Sequence, residues 1–141
     1  MPEGLPAAPL GRRVASLAYE TLLLAAVLWC AALPFQMIEA SLEASHARPL
    51  FQAYLVLVCG VYFVAQWGRG GQTLPMKTWR LRLVAADGGA LSVRQATLRY
   101  VVALAGLLLA GVGFLWALFD RDHQFLHDRL ARTRIVRVPP R

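Results

Sequence analysis

A carboxyl group inside an apolar run of membrane-crossing length constrains this chain more than any other feature. From Arg12-Arg13-Val14 to Leu33 the residues are almost wholly apolar apart from Glu20, over about the 20 residues that a bilayer-spanning helix needs. An acid in hydrocarbon requires a partner, a proton or water, so the rest of the fold must supply one of these. On a helix Arg13, Ser16, Leu17, Glu20, Leu24 and Val27 fall at intervals of three and four, and a polar stripe runs inward from the arginine end along one face. Glu20 lies roughly 10–12 Å along the axis from Arg12 and Arg13 at about 1.5 Å per residue. That is too far for a relaxed direct pair, although an inward-reaching arginine shortens the gap. Two readings stay open for Glu20: a structural polar group hydrogen-bonded to a neighbouring helix, or a proton or cation site.

Hydrophobic residues make up 57% of the 141 and are gathered into long blocks, as in an integral membrane protein. The net charge of +7 sits in the flanks of those blocks. Basic flanks set orientation in the bilayer and meet anionic headgroups, so lipid is the expected partner and nucleic acid is not. Cys30 and Cys59 each lie inside an apolar block, where thiols behave as small hydrophobes, and they form no redox or disulfide pattern. The first block is longer than the apolar core of a signal peptide and carries Glu20, which makes it a retained anchor.

In chain order, residues 1–11 form a flexible lead with three prolines, residues 12–138 a membrane domain, and residues 139–141 a tail. The first helix is expected to stop at Pro34, followed by a slightly acidic loop, Phe35 to Pro49, with Glu39 and Glu43. The second apolar block, Leu50 to Trp67, carries no formal charge, and Gln52, Cys59, Tyr62 and Gln66 share one of its faces. That stripe suits the Glu20 face, with Ser16, Gln52, Tyr62 and Gln66 as a polar lining. Interhelical hydrogen bonding alone explains it equally well, and Tyr54, Tyr62 and Trp67 also read as interfacial aromatics. Thr73 can cap a short surface helix bearing Leu74, Met76 and Trp79. Arg80 to Val84 alternates basic and apolar before Asp87-Gly88, a strand and a turn. Ser92 with Gln95 makes a capping box, so a helix should begin at about Val93.

The third block, Thr97 to Phe119, poses a topological conflict. Arg99, Ala103, Gly106, Ala110, Gly113 and Ala117 would line one face of a straight helix, whereas the same glycines can open a bend. A third crossing would carry the six arginines after Phe119 away from the other basic segments, against the charge bias. A re-entrant hairpin turning near Gly106 to Gly113 keeps them together. It also brings Asp128 towards Arg12 or Arg13 and lets Thr133 to Val138 pair with Arg80 to Val84. The expected fold is therefore an all-α membrane protein with two transmembrane helices, a third apolar block that re-enters or spans, and a small cytoplasmic β element. The cost of re-entry is a turn that the first two helices must cover.

Several stretches together resemble the RDD family, bacterial membrane proteins named for one arginine and two aspartates. They are Arg12-Arg13-Val14-Ala15 leading to Glu20, Gly71-Gln72-Thr73-Leu74, Leu81-Arg82-Leu83-Val84 with Asp87-Gly88 and Leu91-Ser92, and His127-Asp128-Arg129-Leu130-Ala131-Arg132-Thr133. The resemblance implies that the family arginine is Arg12 or Arg13, the mid-helix acid Glu20 and the later aspartate Asp128. Glu20 stands for the family's Asp, Pro75 for a Gly, and Arg132 for the Gly of Ala-Gly-Thr. The resemblance implies a small multi-helix domain of the bacterial inner membrane, in a family most of whose members have no established biochemical activity.

His123 and His127 lie four apart, as two metal ligands on a helix would, with Asp120 or Asp128 as a third. A solvated juxtamembrane helix explains them as well, and no metal site or cofactor is expected. Among catalytic motifs, no nucleophile–base pair or phosphate loop is present, so an enzyme is not expected. Two functions remain. One is a structural or assembly role in which helices scaffold a membrane-protein partner or a further copy and basic loops grip lipid. The other is transport, in which Glu20 exchanges protons or cations along a path bordered by Ser16, Gln52 and Tyr62. Three apolar blocks are few for a pathway, so transport would call for a homo-oligomer.

Overall fold

The computed structural model describes residues 4–109, 111–121 and 124–140, and at Val112 the backbone alone. Two long helices, α1 (Leu10–Glu39) and α2 (Ala44–Gly70), pack as a hairpin, and each is long and apolar enough to cross a membrane. Their outer faces leave Leu22, Trp29, Leu57 and Val61 exposed, as lipid-facing side chains require.

α1 does not stop at Pro34 but continues a further turn to Glu39. Proline lacks an N–H and clashes with the preceding turn, so carbonyls near Cys30 and Ala31 lose their usual donors. The Tyr54 hydroxyl of α2 donates to the Ala31 carbonyl at 2.9 Å, so a neighbouring helix supplies a donor to the turn that the proline disturbs. Pro49 likewise falls inside α2, in its second turn, so the acidic connection is shorter than the sequence suggests.

After α2, Thr73 caps α3 (Leu74–Thr78) by accepting from the Met76 N–H. Pro75 occupies the first turn of α3, where a missing N–H costs nothing, so the departure from the family glycine is accommodated. β1 (Leu81–Ala85) follows, and then α4 (Val93–Leu108), which opens with the complete Ser92–Gln95 capping box. Beyond α4 come α5 (Val112–Phe119), α6 (Leu126–Leu130) and β2 (Thr133–Arg137). β1 and β2 are antiparallel, with Leu83 opposite Ile135. Arg132 enters β2 with φ at 54°, in the left-handed region that the family glycine adopts freely. Leu81, Leu83 and Val136 are fully buried, and Leu81 and Leu83 form a small core under the bundle with Met76, Leu91 and Ala96.

The lead is less loose than expected. Ala7 bridges to Val136, the Ala8 N–H donates to the Ile135 carbonyl at 3.0 Å, and Arg137 N–H donates to Pro6. The free edge of β2 would otherwise leave a row of unpaired backbone groups, and residues 6–8 cover it.

The third apolar block is not one helix. α4 and α5 meet at 90°, with Gly111 at φ 75° providing the left-handed residue that the reversal needs. A β-carbon on Gly106 would lie 3.1 Å from the Gly113 Cα. The two glycines that would lie on one face of a straight helix thus press against each other across the bend. Part of the backbone at the bend is paired within the block itself. Gly111 N–H bonds to the Leu107 carbonyl, and the Gly111 carbonyl accepts from Phe114 and Leu115. β1 precedes the block and β2 follows it; because they pair, the chain enters and leaves the block on one side.

Candidate functional site

Between the sheet and the helices the buried polar side chains gather in two layers. The deeper is centred on Glu20, 7% exposed on the face of α1 that also buries Arg13 and Ser16. One carboxyl oxygen accepts from the Tyr62 hydroxyl at 2.7 Å and the other from the Thr73 hydroxyl at 2.5 Å. Glu20 therefore ties α1 to α2 and to the start of α3. Gln66 supports the arrangement only indirectly, since its amide donates to the Tyr62 carbonyl on its own helix. Gln52 is exposed and takes no part, because a seven-residue spacing drifts around the helix over the length of α2. Thr73 was legible as a cap but not as a partner of Glu20. A capping threonine accepts through oxygen and keeps its proton free to donate, and that is the signal.

The shallower layer is built on Asp128 and Arg99. Asp128 is fully buried on α6, and its Oδ1 accepts from Arg99 Nε at 3.1 Å and Nη2 at 2.8 Å. Asp128 thus pairs directly with Arg99 of α4, not with Arg12 or Arg13 as expected. Arginine at the start of an apolar block needs a carboxylate as much as Glu20 needs a donor, so its position was the available clue. The guanidinium also lies 4.4 Å above the Trp67 ring, a cation–π contact; Trp67 and Tyr62 are bundle residues, not interfacial ones.

Of the two candidate arginines, Arg13 is the buried one, 4% exposed, with its guanidinium 5.4 Å from the Phe125 ring centroid. Its Nε has no hydrogen-bond partner, although Asp128 and Asp120 lie within electrostatic reach. Arg12 is half-buried and donates to the Trp79 carbonyl. His127 is also buried, stacked on Phe125 and edge-on to Phe114, with Nδ1 unpartnered. Burial, reinforced by the positive charge of Arg99, holds its pKa well below the usual 6.5, so the ring is neutral at pH 7. A solvated helix does not describe it. His123 lies outside the described residues, and among those residues no cluster of three His, Cys, Asp or Glu is placed to hold a metal ion.

Both layers face one cavity of about 420 Å³. Arg13, Arg99 and His127 stand at its sheet end and Ser16 and Glu20 along α1, while Leu24, Leu104 and Leu107 are among its apolar walls. Such a site can bind a molecule with a charged end and an apolar body, or can shelter one titratable acid.

A family model described as RDD matches residues 7–132, nearly the whole chain. No curated protein and no solved structure matches it.

Proposed function

The chain belongs to the RDD family, and for this member we propose a non-catalytic role as a lipid-associated scaffold of the bacterial inner membrane, on which a membrane-protein partner or a further copy assembles. The observation that supports this most is the engagement of Glu20. Both carboxyl oxygens are held by hydroxyls from two other elements, so the intramembrane acid joins parts of the fold. The Arg99–Asp128 pair makes the same use of charge between α4 and α6.

The N-terminus is assigned to the cytoplasm. Arg12, Arg13, Arg69, Lys77, Arg80 and Arg82 all flank the sheet side, whereas Glu39 at the end of α1 and Glu43 before α2 sit at the opposite end, and basic residues are retained inside. There each Lys or Arg near the surface contributes about 1 kcal/mol of attraction to anionic lipid.

Proton- or cation-coupled transport through Glu20 is the second reading, and one observation favours it: the acid lines a cavity together with Ser16 and Arg13. The two readings separate in proteoliposomes that carry an internal pH dye. The scaffold reading expects no cation-driven proton flux above that of protein-free vesicles. Flux that disappears in a folded Glu20→Gln variant would replace it with transport.

A further inference from the structure

We propose that the cavity between α1 and the α4–α5 hairpin is a lipid site, holding one acyl chain of an anionic phospholipid with its phosphate at Arg13. The proposal deepens the lipid-associated part of the scaffold reading and rests on it.

The head end is defined by a buried guanidinium that no described acid hydrogen-bonds. Arg13 is buried, and its guanidinium donates no side-chain hydrogen bond to any described residue. A buried cation without a hydrogen-bonded counterion is costly. Asp128 and Asp120 act on Arg13 only through space: Asp128 gives its Oδ1 to Arg99, Asp120 pairs with Arg129, and the Glu20 oxygens accept from Tyr62 and Thr73. An entering phosphate offers what the protein withholds, oxygens matched to the guanidinium fork. His127 Nδ1, buried and unpartnered in the same wall, gives a second donor in the tautomer protonated there. Arg13 lies near the start of α1, on the side of the sheet, at the depth where a headgroup sits.

The remainder of the cavity suits a chain. Leu17 and Leu24 of α1 face Ala103, Leu104 and Leu107 of α4 across it, with Phe114 at the bend. α1 and α4 each pack on α2 and leave this gap between them. Thr21 and Leu107 on the rim are exposed, so the slot opens sideways into hydrocarbon, where an acyl chain enters without crossing a polar barrier. A volume near 420 Å³ falls within the range of single-ligand sites, about 300–1,000 Å³. Glu20, roughly 10 Å deeper at about 1.5 Å per residue, repels a second anion and fixes the phosphate at the Arg13 level.

The test is native mass spectrometry of the delipidated full-length protein in detergent, titrated with dioleoyl phosphatidylglycerol or with dioleoylglycerol, which has the same chains and no phosphate. The expected result is a preference of about tenfold for the anionic lipid, as one charge-assisted contact supplies. Arg13→Gln should abolish the preference, and Leu107→Trp, a rim substitution that leaves the folded core untouched, should weaken retention of both lipids. Millimolar inorganic phosphate should not displace the lipid. Equal binding of the two lipids, unchanged selectivity in Arg13→Gln, unchanged retention in Leu107→Trp, or displacement by inorganic phosphate would overturn the proposal. Any of these with the proteoliposomes still silent removes the lipid site and leaves the scaffold reading standing.

Discussion

Asp128→Asn preserves the shape of the side chain and removes its charge. In the native fold Asp128 is fully buried, Arg99 is 7% exposed, and both contacting nitrogens share Oδ1 at 2.8 and 3.1 Å. The variant leaves the Arg99 guanidinium buried without a counter-charge, held by a neutral amide oxygen and by the Trp67 ring. Breaking a buried pair from one side costs about 3–5 kcal/mol, or roughly two to three and a half powers of ten in the folding equilibrium. That is a large fraction of the 5–15 kcal/mol that holds a typical domain together. Unfolding by sodium dodecyl sulfate in mixed micelles, followed by tryptophan fluorescence and circular dichroism, reads the difference. Replacing both partners, Arg99→Met with Asp128→Leu, should recover at least half of the loss, because apolar side chains of similar volume need no counterion. A change within about 0.5 kcal/mol of wild type for Asp128→Asn would refute the reasoning that this pair bears the junction of α4 and α6.

Three further outcomes follow from the same geometry. Tyr62→Phe removes one donor to Glu20 and should destabilise the bundle by about 0.6–1.7 kcal/mol, measured in the same unfolding assay. Gly106→Leu places a side chain where Gly113 already lies, so limited proteolysis should cut the α4–α5 bend in the variant and spare it in the wild type. For His127, whose folded pKa is depressed, stability is fully present above the unfolded value near 6.5 and falls with pH below it, by at most about 1.4 kcal/mol per unit. His127→Phe should flatten that acid-side slope in a pH series of unfolding midpoints.

How much of this was legible in the chain depended on whether the signal was local. The Ser92–Gln95 box, the Thr73 cap and the alternation that became β1 are set by residues within a few positions of one another, and the structure bears them out. The Glu20 stripe was legible because a buried acid must be met, but its partners come from 42 and 53 residues away. Nothing in the spacing distinguished Tyr62 from Gln52 as the one that reaches it. Arg99 fits the period of a small-residue face, and local periodicity does not reveal that its charge is matched 29 residues later. Pro34 misled for a related reason: propensity ends a helix there, whereas a hydroxyl on the facing helix lets it continue. Gly106 and Gly113 suit close packing in either topology; pairing of β1 with β2 decides which surfaces they join.

The central claim is that the chain crosses the membrane with two helices and that the third apolar block returns to the side it entered. Single cysteines at Gly4, Ser41 and Pro139, all exposed, in a background with Cys30 and Cys59 replaced by serine, test it with a membrane-impermeant maleimide. The reagent is applied to right-side-out and inverted vesicles. The account predicts that positions 4 and 139 label from one side and position 41 from the other. Labelling of position 139 from the side of position 41 would make the block a third crossing and contradict it.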